Sequence, residues 1–143
     1  MSPEQLFPLL NLVALVSWLL LAIFPRRPLV TRTIAGAAVP AFFAVAYIVM
    51  VATAWNGSEG GFSSLDGVAS LFANRWLLLA GWTHYLAFDL LVGLWEVRDS
   101  IERRIAHFAV VPCLVLTFMF GPAGWLSYQL VRKVASRPSP VLS

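Results

Sequence analysis

The stretch 76–99, WLLLAGWTHYLAFDLLVGLWEVRD, has the length and apolarity of a membrane-spanning helix, yet it carries His84 and Asp89 well inside. An ionisable side chain at the bilayer centre costs about 2.5–3.5 kcal/mol on insertion scales, and such residues face a bundle interior or a wet cavity. The rest of the chain must supply what compensates both. It is therefore read as the container around this helix.

Composition supports that reading. Of 143 residues, 59% are apolar and 12% charged, against about 25% charged in ordinary soluble domains. The expected class is all-α, a polytopic membrane protein in one domain. Its net charge of +3 does not suggest nucleic acid, because the basic residues cluster at the ends of apolar runs, as the positive-inside rule describes. Cys113 is the single cysteine, so no intrachain disulfide is possible. Buried in an apolar run, it reads as a small hydrophobe. The sequence contains no P-loop, dinucleotide fingerprint, HExxH or G-x-S-x-G, and no cofactor or metal is expected.

Four apolar runs predict transmembrane helices over about 6–24, 33–55, 76–95 and 105–131. Arg26, Arg27 and Arg32 follow the first and hold that connection in the cytoplasm, so the N-terminus is expected outside. In the second run Gly36, Ala37, Ala41 and Ala44 permit close approach of a neighbouring helix, and Pro40 is a potential kink. The polar connection 56–75 holds Leu65, Val68, Leu71 and Phe72 at helical spacing. It reads as a short interfacial helix on the outer surface capping a cavity, or as an ordered loop. Trp76 and Trp95 read as interfacial anchors of the third run. Beyond it, Glu96, Asp99 and Glu102 alternate with Arg98, Arg103 and Arg104, the pattern of a solvated, self-paired helix end.

The fourth run contains His107, Pro112 and the pair Gly121-Pro122, which should kink or break it. Arg132, Lys133 and Arg137 follow. Four spans with the N-terminus outside put this basic tail outside too, against the charge rule. A run that re-entered and returned at Gly121-Pro122 avoids the conflict, but each half is too short to cross alone. Orientation is read mainly from the earlier loops, so four spans are expected, with a disordered tail over 134–143.

Helical spacing lines up Trp82, Tyr85, Asp89 and Glu96 on one side of the third run, with Gly93 making room. His84 is about 140° round from Asp89 at 100° per residue, so each needs a partner on another helix. At about 1.5 Å per residue, His84 falls level with Tyr47 and Thr117, with Asn11 slightly further out; Asp89 falls nearer His107 and Cys113. Asn11, Tyr47, Trp82, Tyr85, His107 and Thr117 are candidate pocket residues around His84 and Asp89. Such a pocket suits a long, mostly apolar ligand with a polar end. A purely structural role for the two ionisable residues, locking helix packing, is the competing reading.

At GWTHYLAFDLLVG (81–93) the sequence resembles the neoxanthin-synthase-like family, named for the plant abscisic-acid-deficient-four protein. The resemblance extends to FPLLNLVALVSWLLLAIFPRR near the start and PCLVLTFMFGPAGWLSY near the end. It implies a four-helix membrane protein acting on a carotenoid or related isoprenoid lipid. In plant members the associated reaction turns violaxanthin into neoxanthin, opening an epoxide to an allene and a tertiary alcohol. That isomerisation takes an acid at the epoxide oxygen and a base at the carbon losing its proton, roles that Asp89 and His84 can fill in either order. A non-catalytic pigment- or lipid-binding protein, or one assisting a partner complex, is the alternative. The plant transit extension is missing here, which points to a prokaryotic inner membrane.

Overall fold

A computed structural model of the chain describes residues 1–135; the predicted disordered tail lies almost wholly outside them. The described residues form five α-helices and no strand, and four of the helical runs are long and apolar enough to cross a membrane. α1 (Pro3–Ile23) starts where Ser2 and Gln5 cap each other reciprocally and Pro3 takes the first turn. A π-helical stretch, Leu29–Ala38, leads directly into α2 (Val39–Ala54). Its wide turns end at Ala38, and Pro40 lies in the first turn of α2. α3 (Leu65–Ala73) is capped by Ser64 and sits on α4 through buried Leu71 and the ring of Phe72 against Gly81. It is the expected short helix, but it lines neither apolar groove described below. α4 (Arg75–Glu102) starts at Asn74, whose side chain accepts from the backbone of Trp76 and Leu77. It touches every other helix and is the axis of the bundle.

α5 (His107–Ala135) satisfies the length and apolarity of a span, but it is not one rod. Phe120 has φ −143° and ψ 60°, outside the helical region. A Cβ added at Gly124 would overlap the backbone nitrogen and hydroxyl of Thr117, whereas seven residues of straight helix separate two positions by about 10 Å. The chain therefore doubles back at Phe120-Gly121. The contacts of α5 along α4 say the same. Tyr85 reaches the carbonyls of Phe118 and Met119, Gly121 abuts Asp89, and Tyr128 and Arg132 have already returned to Asp99. Arms 107–119 and 121–135 are each about 20 Å long, short of a hydrocarbon core of about 30 Å.

The hairpin divides the packing in two. One core cluster, with Trp18, Leu90, Leu94 and Val97, includes Val110, Leu114 and Tyr128 of the hairpin. The other, with Leu10, Phe43, Met50, Leu79 and Leu86, draws on α1, α2 and α4 and contains no residue of α5. α5 covers the half of α4 that ends in Glu102. Its return brings Arg132 and Lys133 to the same end of the bundle as Arg26, Arg27, Arg103 and Arg104.

This arrangement makes a labelling prediction. In a Cys113→Ala background, Ser63→Cys and Val134→Cys should react with an impermeant thiol reagent from opposite sides of the membrane, and Arg27→Cys from the same side as Val134→Cys. Labelling of positions 63 and 134 from one side would mean that α5 crosses the bilayer instead of returning.

Candidate functional site

Breaking a helix inside a membrane leaves backbone groups without partners. Pro122 has no N–H, so the carbonyl of Phe118, four residues earlier, loses its usual donor. The Tyr85 hydroxyl donates to that carbonyl at 3.0 Å and lies 3.2 Å from that of Met119. One helical turn on, Asp89 sits against the start of the returning arm. A Cβ on Gly121 would lie 2.5 Å from one of its carboxylate oxygens. A carboxylate is favoured at a helix N-terminus, where N–H groups and the helix dipole face it. α4 thus presents a donor to the carbonyl end of the break and sets a carboxylate beside the start of the returning arm.

Deeper under the hairpin, Glu96 is fully buried and the Thr117 hydroxyl donates to its Oε1 at 2.8 Å. Oε2 of Glu96 and Oδ2 of Asp89 are buried without a hydrogen-bond partner among the described residues. Asp99 is also buried. It accepts from the Tyr128 hydroxyl (2.8 Å) and forms ion pairs with Arg103 (2.9 Å) and Arg132 (3.2 Å). The expected solvated helix end is therefore corrected for two of its three carboxylates: the hairpin lies over Glu96 and Asp99 and removes them from solvent, and only Glu102 is exposed. A sign of this was present in the sequence, since Glu96 already shared a helical face with Tyr85 and Asp89.

His84 has different surroundings. It faces α2, is exposed, and makes no side-chain hydrogen bond among the described residues. Its ring stacks on Phe88 at 4.6 Å between centroids and lies 5.8 Å from that of Tyr47. Together these side chains line a groove of about 470 Å³ between α2 and α4, floored by Phe43 and Ala87. The close approach expected of the small residues is replaced at Ala41 and Ala44, which open this groove; Ala37 is exposed as well.

The remaining predicted residues separate. The Trp82 indole donates to Asn11 Oδ1 at 2.8 Å, and its ring stands between Phe7 and Tyr85. Trp82 and Phe7 line a second groove of about 410 Å³ between α1 and α4, beside the Arg75–Glu4 ion pair. His107 donates from Nε2 to the carbonyl of Ala22 (2.7 Å), tying the start of the hairpin to the end of α1. Thr117, expected level with His84, meets Glu96 instead, from the first arm of α5. Tyr47 does meet His84. His84 and Asp89 are not brought together: they serve opposite faces of α4. Cys113 is buried, with its thiol 3.7 Å from the carbonyl of Ala109. No group of three or more metal-binding side chains is present among the described residues.

The stretches that build this geometry, from α1 through the Gly121-Pro122 turn to Tyr128, coincide with the match to a family model described as ABA DEFICIENT 4-like, over residues 5–128. The chain belongs to that family. No curated protein and no solved structure matches it. As an ABA DEFICIENT 4-like protein built of long helical runs apolar enough for a membrane, it is an integral membrane protein.

Tyr85→Phe removes the hydroxyl that serves the broken helix and leaves a carbonyl buried without a donor, which should destabilise the protein by about 1–3 kcal/mol. Asp89→Asn keeps a side-chain acceptor for the returning arm and should be milder. Thermal melting in detergent checks both, and a Tyr85→Phe protein as stable as wild type would remove the tyrosine from this role.

Proposed function

We propose that the protein binds a long isoprenoid lipid of carotenoid type in the groove between α2 and α4, and isomerises it by acid–base chemistry centred on His84. What carries this reading is the groove itself. It is almost wholly apolar, it opens at the lipid-facing side of the bundle, and His84 and Tyr47 are the polar-tipped side chains among its lining residues. Aromatic and aliphatic walls suit a conjugated chain, and a few polar groups orient its functional end.

Opening an epoxide with loss of a proton from a nearby carbon delivers one proton and removes one, so the proton balance closes. The imidazole of His84 and the phenol of Tyr47, on facing helices, are the groups placed to do this. Asp89 contributes from the opposite face of α4, by holding the tip of the hairpin. The orientation with the N-terminus outside and a prokaryotic inner-membrane location belong to the same proposal.

A second reading, a pigment-holding protein without turnover, is favoured by the lack of a carboxylate among the residues that line the groove. Purified protein incubated with epoxide-bearing xanthophylls distinguishes the two. The catalytic reading expects product, and His84→Gln should lower its formation by about 10²–10⁴-fold while leaving the melting temperature unchanged. A carotenoid that co-purifies in fixed ratio and is never altered would establish the holding role and end the catalytic one.

A further inference from the structure

The return of the hairpin creates a feature that neither groove uses. Arg103 at the end of α4 and Gln129, Arg132 and Lys133 on the second arm of α5 surround a cavity of about 450 Å³. Its lining side chains are all polar, and every charged one among them is cationic. The arginines are held from behind. Buried Asp99 takes the Nε of Arg103 with both oxygens, at 3.0 and 2.9 Å, and the Nε of Arg132 at 3.2 Å. Gln129 Oε1 accepts from Nη1 of Arg132 at 3.2 Å. Both nitrogens of the Arg103 fork and Nη2 of Arg132 are left without a partner among the described residues. Lys133 makes no side-chain hydrogen bond or ion pair there, and exposed Glu102 forms no ion pair. The single carboxylate leaves two cationic side chains uncompensated, and its hold on the guanidiniums preorganises donors that match phosphate oxygens.

We propose that this cavity binds the phosphate of an anionic membrane lipid. The surroundings point to a lipid as the source of the phosphate. Arg132 lies over the ring of Trp95, 5.7 Å from its centroid. Trp95 and, one turn deeper on the same face, Leu91 are 38% and 37% exposed. They form an apolar strip running from the cavity into the membrane, where an acyl chain would lie while its headgroup sits among the arginines. A tryptophan at this position is suited to the headgroup level of a bilayer. The site depends on tertiary structure: Arg103 and Lys133 are 30 positions apart in the sequence, and only the reversal at Gly121-Pro122 joins them.

The test uses the full chain purified in a neutral detergent. Phosphatidylglycerol and phosphatidylcholine with identical acyl chains are titrated in, with bound lipid read by native mass spectrometry and melting temperature measured in parallel. One phosphatidylglycerol should be retained at least about tenfold more tightly than phosphatidylcholine, and it should raise the melting temperature. Arg132→Gln and Lys133→Gln should each lower that preference several-fold, while Arg26→Gln with Arg27→Gln, at the same end of the bundle, should leave it in place. Should Arg132→Gln fail to fold, Lys133→Gln decides, since Lys133 holds no side-chain hydrogen bond or ion pair among the described residues. Equal loss in the Arg26/Arg27 variant would reduce the effect to diffuse surface charge and overturn the proposal. So would equal retention of the two lipids, or displacement of the lipid by equimolar inorganic phosphate, which would assign the cavity to a soluble anion.

Discussion

A helix cannot end inside a bilayer unless something else meets its free carbonyls and amides. The fold depends on how α4 meets that requirement. The break at Phe120-Gly121 exposes the carbonyls of Phe118 and Met119 on one side and the start of a new helix on the other. Tyr85 and Asp89, one turn apart on α4, stand against these two ends. This explains why a membrane helix carries a carboxylate near its middle. It also explains why glycine is needed at 121 and 124: a side chain at either position would strike Asp89 or the opposite arm. At Gly93 the same α4 face admits the Trp18 indole, which a Cβ there would displace.

Because the hairpin stops halfway, α4 has two environments along its length. The half beneath the arms is packed closely enough to bury Glu96, Asp99 and Tyr128. Without a hydrophobic driving force between helices in lipid, such packing relies on close approach and interhelical hydrogen bonds, and Thr117–Glu96 and Tyr128–Asp99 are of that kind. The other half is held by α1, α2 and the short α3 and is flanked by grooves. His84 belongs to that open half, on the face away from Asp89. The division gives the two ionisable residues different surroundings: Asp89 lies against the hairpin, and His84 lines the groove between α2 and α4.

The same reversal gathers charge. A straight fourth helix would carry Arg132 and Lys133 to the end opposite Arg26, Arg27, Arg103 and Arg104. The hairpin sets all of these at one end, which removes the conflict that the charge pattern raises for a run of single crossings. Asp99 is central there, since it holds arginines from two different helices.

Much of this was legible in the sequence. The apolar runs gave the helices, and spacing placed Trp82, Tyr85, Asp89 and Glu96 on one face and His84 on another. Gly121-Pro122 announced a break, and the basic tail was at odds with a straight path. These are local properties, set by side-chain period, backbone chemistry and charge within a few residues. What the sequence left open was the angle at the break, because a glycine and a proline permit either a bend or a full reversal, and the choice depends on which partner takes the freed backbone groups. Only the tertiary structure supplied Tyr85 as the donor to the freed carbonyls and set Asp89 against the returning arm. From that one decision followed the burial of Glu96 and Asp99 and the meeting of Arg103 with Arg132 and Lys133.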